Sequence, residues 1–194
     1  MAWTPPGTFV AGVQALASWM NEMVRDNLIA LWPFTARGDI AFASSSTTLT
    51  KLAAGDPGQI IQYNADGDLQ VCDNRFNINF ILGNGRDIID AGTKLAAFTV
   101  PQAITIDKVQ LISVDNTTGS IVVNIYKNTW SNVPTSTTSI CASSKPMLSS
   151  AVKYEDTTLT SWTITFAEGD ILIVTAESVT ALKLVQLAIM GVKI

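Results

Sequence analysis

Apolar residues follow two different periods along this chain. Between Val13 and Leu31 they recur at steps of three and four, so that Val13, Ala17, Met20, Val24, Leu28 and Leu31 share one stripe, with Glu22, Arg25 and Asp26 mostly off it. This spacing predicts an amphipathic helix of about 28 Å at the standard rise per residue. Pro33 ends it, because the residue before a proline is pushed out of the helical region, and Trp32 is the last that can belong. In a strict seven-residue frame Asn27 falls in the seam itself, where a buried polar residue fixes register and copy number; in the other frame Leu28 makes the contact and Asn27 flanks it. No second helix is predicted, so the stripe packs on a copy of itself or on the β-rich remainder.

Ahead of this helix, residues 1–12 form an extended arm: Pro5 and Pro6 forbid helix, and Gly7 and Gly12 loosen the rest. Trp3 and Phe9 have nothing within the arm to bury them. Beyond it the period falls to two. DIAFA and TTLTKLAAG predict short strands, and IIQY and DLQV flank a turn at Asn64-Ala65-Asp66-Gly67 and predict a hairpin. The passage CDNRFNINFILGNG reads as a linker. From there the β runs KLAAFTV, KVQLISV, SIVVNIYK, SWTITF, DILIVTAE and LKLVQLAIMGVKI, parted by turn chemistry such as Glu168-Gly169-Asp170, predict an antiparallel, jelly-roll-like sandwich. The Ser/Thr/Pro-rich section from Asn128 to Val152 reads as one long exposed excursion between strands. The expected fold is mainly β: an arm and single helix over residues 1–36, a short β connector over 37–82 that has too little apolar surface for its own core, and a sandwich over 83–194.

Composition narrows the function. Of 194 residues, 14% are charged and 47% hydrophobic, a lean exterior that suggests apolar area covered by other subunits. A net charge of −4 argues against nucleic acid as a partner. Histidine is absent, which removes the commonest general base and transition-metal ligand. Cys72 and Cys141 are too isolated for a disulfide framework or a zinc site. The opening MAWTPPG lacks the features of a signal peptide, and the charges inside Val13–Leu31 exclude insertion into a membrane.

The opening AWTPPGTFVAG, Asn21 with Arg25-Asp26-Asn27-Leu28, then Gly38-Asp39-Ile40-Ala41 and Gly55-Asp56-Pro57-Gly58-Gln59-Ile60-Ile61 resemble the N-terminal portion of small structural proteins of tailed bacteriophages, the tail fibre, head fibre and minor virion proteins. In the second half, Leu82-Gly83-Asn84-Gly85 with Ile88-Ile89 and Gly92, and Trp162 before a final pair of strands, are similar to a domain of phage fibres. The resemblance implies a homotrimer that is assembled in the host cytoplasm into a projection on the virion and contacts other virion proteins. Trp3 and Phe9 would anchor it, and Val13, Ala17, Met20, Val24, Asn27, Leu28 and Leu31 would form the oligomer interface. The alternative within the same setting is a receptor-binding fibre whose sandwich recognises a host surface glycan.

Candidate chemistry is sparse. Asn64, Asp66, Gly67 and Asp68 echo a calcium loop, but an EF-hand frame would start at Gln62 and end on Asp73 in place of a glutamate, so a hairpin turn is the better reading. Gly83-Asn84-Gly85 lacks the third glycine of a nucleotide fingerprint. Asp87 with Asp90, Glu155 with Asp156, and Glu168 with Asp170 are the close carboxylate pairs a glycosidase would need, yet all fall at strand ends or turns. Trp130 and Tyr154 bracket the excursion and either stack on sugar rings or cover the core edge or a subunit contact. The expectation is no enzyme, no metal and no cofactor.

Overall fold

The structure is a computed structural model that describes residues 17–20, 24, 25, 28, 32, 34–46, 48–115 and 118–194. It divides into two compact units, residues 1–72 and 73–194. The fold is mainly β and its sheets are antiparallel, as the period-two runs predict.

Among the described residues a continuous amphipathic helix is not shown: the turn α1, Ala17–Met20, is helical, Val24 and Arg25 take a wider π-type turn, and Leu28 is helical. Ala17, Val24 and Leu28 are exposed, so among the described residues the stripe has no packed face, and an isolated helix of this length is marginal without one. Val13, Asn27 and Leu31, the side chain of Met20, and Trp3 and Phe9 lie outside the described residues. No described helix is long and apolar enough to cross a membrane.

The rest of the first unit is two hairpins: β1 (Ile40–Ser45) with β2 (Thr48–Leu52), and β3 (Ile60–Tyr63) with β4 (Leu69–Cys72). The second turns at Asn64–Gly67 as its sequence predicts. Asn64 Oδ1 accepts the backbone N–H groups of Asp66 and Asp68 at 3.0 and 2.8 Å, and Gly67 supplies a left-handed φ of 86°. Asp39 ties the start of β1, its carboxylate accepting the N–H groups of Thr35 and Ala36 at 2.8 and 2.9 Å, with the Lys51 ammonium 3.3 Å away. None of the described residues in this unit is fully buried.

The second unit is a sandwich, and it begins earlier than the sequence suggests. Residues 75–83, read above as linker, form β5 (Arg75–Gly83), in which Phe76, Ile78, Phe80 and Leu82 face inward and the intervening asparagines face out. Then come β6 (Lys94–Thr99), β7 (Ile104–Ser113), β8 (Ser120–Asn128), the short β9 (Met147–Leu148), β10 (Lys153–Asp156), β11 (Thr165–Phe166), β12 (Ile171–Thr180) and β13 (Leu184–Lys193). One sheet has the order β10-β7-β13-β5, with β11 extending β7; the other has the order β6-β12-β8-β9. The chain crosses between sheets after nearly every strand. Inward residues of both sheets, among them Leu82, Val109, Leu111, Val185, Leu187 and Ile189 against Ile121, Val123, Ile125, Leu172 and Val174, form one core. Central strand β13 pairs with β5 on one side and β7 on the other, and its register against β7 shifts at Met190/Gly191.

The 128–152 section is not a free excursion. Pro134, Ile140, Cys141, Pro146 and Leu148 are buried, Ser139 bridges Tyr126, and the Ile140 and Val123 N–H groups donate to the Ile125 and Pro146 carbonyls, so the segment lies along β8. Trp162, itself buried, donates its indole N–H to the Ser144 carbonyl at 2.7 Å and clamps the segment from the far side.

Candidate functional site

The three carboxylate pairs separate into different structural roles. Along β10 the pair Glu155 and Asp156 points to opposite faces. Glu155 accepts from Gln110 and lies 3.6 Å from Lys108 on the outer face, while Asp156 Oδ1 accepts the N–H groups of Thr158 and Leu159 at 2.9 and 3.1 Å and closes the next turn. In the second pair Glu168 is exposed, whereas Asp170 is buried with its carboxylate 2.9 Å from the Lys127 ammonium and accepting the Ala167 N–H. That lysine also lies 5.1 Å from the centre of the Phe166 ring. Asp87 and Asp90 line one cleft of about 360 Å³ with Asn84 and Thr93. Asn84 organises its wall: its Oδ1 accepts the Arg86 and Asp87 N–H groups and its Nδ2 donates to the Asp87 carboxylate at 3.1 Å. Among the described residues no three His, Cys, Asp or Glu side chains are grouped as a metal would require.

The two aromatics proposed as a sugar platform are not presented together. Trp130 stands 73% exposed in the turn after β8, whereas Tyr154 lies opposite Leu111 on β10 and packs against the core. Burial, and then the neighbouring Asp156 carboxylate, push the Tyr154 phenol above its ordinary pKa. Tyr154 thus takes the structural alternative, and Trp130 alone remains available to a ligand.

Two features had no signal in the sequence reading. The first is an apolar groove of about 490 Å³ where the end strands β5 and β6 leave the sandwich open, lined by Phe76, Ile78, Phe80, Phe98, Pro101 and Ile104. Phe80 and Phe98 meet there edge to face, centroids 6.4 Å apart. Reading β5 as a linker hid it, although the alternation Phe76, Ile78, Phe80, Leu82 was there to be read. The second is a polar cluster on the outer face of the other sheet. Asn124 donates to Glu177 at 2.7 Å and accepts from Ser139 at 2.6 Å, and Lys145 reaches both Glu177 oxygens at 2.8 and 2.7 Å. The Lys145 ammonium, against the cost of burial, holds the Glu177 carboxyl below its ordinary pKa. These residues come from β8, β12 and the loop between β8 and β9, a grouping that only the fold creates.

No family model matches the chain, and no curated protein does. Among solved structures it is similar to a serine protease of Aeromonas sobria, at 9% identity and a TM-score of 0.28, over 87% of this chain and 40% of that one. It is also similar to a structure of infectious bursal disease virus, Gx strain, at 14% identity and a TM-score of 0.24, over 77% of this chain and 44% of that one. The chain thus spans less than half the length of either, and likeness at these scores carries no argument about fold or activity.

Proposed function

We propose that this chain is a non-enzymatic structural component of a tailed-phage virion, a homotrimeric fibre, spike or decoration held by its N-terminal region. The resemblance in the N-terminal motifs supplies the setting. The strand orders β10-β7-β13-β5 and β6-β12-β8-β9 are those of an eight-stranded jelly roll, an architecture used widely in viral shells and lectins. The observation that carries the oligomer reading is the outer face of the first sheet. Registered rows Asn79, Ala188, Gln110 and Ile81, Gln186, Ile112 make a surface of amide and apolar side chains across three strands. Its charges are few: Lys108 on β7 continues the Asn77–Met190 row, Glu155 and Lys153 on β10 close the other two rows, and Arg75–Asp107 stands at one end. Such a face is suited to burial against another subunit.

Exposed Trp130, with Val133 beside it in the same turn, favours a second reading in which the same fibre meets a host glycan through that tip. Electron microscopy of virions carrying a tagged chain tests the first reading. A projection bearing the tag is expected, and a chain absent from purified virions would overturn it. Adsorption by virions with Trp130→Ala separates the two: unchanged adsorption leaves the structural role alone, and a loss of tenfold or more assigns the tip to recognition.

A further inference from the structure

We propose that Lys145 and Asn124 become joined by an amide bond, with Glu177 carrying the protons, so that the segment between β8 and β9 is covalently tied to β8. The parts for this reaction meet at one carboxylate oxygen. Glu177 Oε1 accepts from Lys145 Nζ at 2.8 Å, the nucleophile, and from Asn124 Nδ2 at 2.7 Å, the leaving group. The Asn124 carbonyl oxygen, where negative charge would gather, already accepts the Ser139 hydroxyl at 2.6 Å. Asn124 is 3% exposed, so its amide is held in one orientation.

The backbone brings these groups to one carboxylate. A register shift in β12 against β8 leaves Glu177 as an extra residue between the Ala176–Val123 and Ser178–Val122 pairs, two positions along β12 from Thr175, the partner of Asn124. On the other side, the Pro146 carbonyl accepts the Val123 N–H and the Ile125 carbonyl accepts the Ile140 N–H, each at 2.9 Å, which pins the segment on both sides of Lys145. Holding amine, amide and proton carrier in place converts a slow encounter into an intramolecular step. Cys141, the nearby thiol, is no rival nucleophile, since burial pushes its pKa up to about 12.

The step balances as a transamidation. Glu177 takes a proton from the Lys145 ammonium, and the free amine adds to Cγ of Asn124 to give a tetrahedral carbon whose oxygen the Ser139 hydroxyl steadies. Proton transfer through Glu177 from Nζ to Nδ2 then lets the Cγ–Nδ2 bond break. The Nζ–Cγ amide remains, ammonia departs as ammonium with the proton that Glu177 first accepted, and the carboxylate is restored. No oxidant, metal or co-reactant enters.

Intact mass of the full chain, measured after denaturation, tests this. The wild-type chain is expected one ammonia lighter than its sequence, with the fragment around Lys145 covalently attached to that around Asn124. Lys145→Arg keeps the charge and the pairing with Glu177 but presents no nucleophilic amine, so a folded Lys145→Arg chain is expected at its full sequence mass. Glu177→Gln is expected there too. A wild-type chain at full sequence mass would overturn the proposal and leave an ion-paired clip only, and a deficit that persists in Lys145→Arg would place the lost ammonia elsewhere.

Discussion

At Asp170 a single carboxylate holds the entry to β12. Its side chain is 5% exposed, it lies 2.9 Å from Lys127, and it accepts the Ala167 N–H that shapes the preceding turn. Replacing it with alanine leaves a largely buried ammonium without its counter-charge and an N–H without its acceptor. The expected cost is about 3 kcal/mol, read as a lower denaturant midpoint, with Asp170→Asn less severe because it keeps an acceptor. Two carboxylates on β10 carry a dependence on acid. Glu155 is held below its ordinary value of 4.5 chiefly by Gln110. At Asp156 burial pushes upward, but the Leu159 and Thr158 N–H groups outweigh it and the pKa falls below 3.8. Folded values below the unfolded ones mean stability that is complete above the unfolded pKa and lost as pH falls through the folded values. The melting temperature should therefore be level from neutral pH to about 5 and decline below about 4, with a shallower decline in Glu155→Gln. A melting temperature that rises on acidification would contradict this.

Strands were legible in the sequence where apolar and polar residues alternate without interruption, and least so where other chemistry masked the period. In β5 the asparagines at 74, 77 and 79, poor strand formers by composition, made a linker of what is the inward series Phe76, Ile78, Phe80 and Leu82. The serines and threonines of 128–152 looked solvated, yet Ile140, Cys141 and Leu148 are spaced so that the segment buries them, while the Thr138 hydroxyl serves its own turn and the Ser139 hydroxyl reaches Asn124 on β8. The helical stripe carries a different lesson: a period of three and four marks helical residues such as Ala17–Met20 and Leu28 but does not say what covers them, and the described Val24 and Leu28 are exposed. No period could reveal the cluster of Asn124, Lys145 and Glu177, because its members are brought together by strand pairing across 53 positions. Gly191 in β13 is likewise invisible as a packing element until the register is known. A Cβ there would stand 2.1 Å from the Thr105 carbonyl oxygen and 2.7 Å from the Ile106 Cα, where β7 bulges toward it. Backbone on a central strand pair cannot give way cheaply, so Gly191→Ala should destabilise the sandwich by about 2 kcal/mol, measured by chemical denaturation. Gly169→Ala, with open space around it, should cost less and only through its φ of 83°.

For the molecule as a whole the question is what covers the lean exterior, and two surfaces offer themselves. Ile81 is 59% exposed and Ile112 38% on the outer face of the first sheet, and Val24 and Leu28 are exposed on the N-terminal stripe. A four-stranded face with strands about 4.8 Å apart and about 30 Å long presents roughly 600 Å². That falls short of the approximately 800 Å² per partner of a standard stable interface. At about 25 cal/mol per Å² of apolar area, and with part of the face amide, the sheet alone gives too little to offset the cost of association. The N-terminal stripe would have to add to it, so each surface is expected to be necessary and neither sufficient. The purified chain should have about three times the 20.8 kDa monomer mass in sedimentation equilibrium, the copy number following from the family resemblance. Ile112→Lys, placing a second charge beside Lys153 on the sheet face, should weaken the trimer at least tenfold, and Val24→Asp should do the same from the other surface. Both positions are exposed within one chain, so circular dichroism should show unchanged strand content in the resulting monomers, separating loss of assembly from loss of fold. A wild-type chain that stays a single monomeric species at micromolar concentration would refute the assembly and with it the reading of the first sheet as a subunit contact.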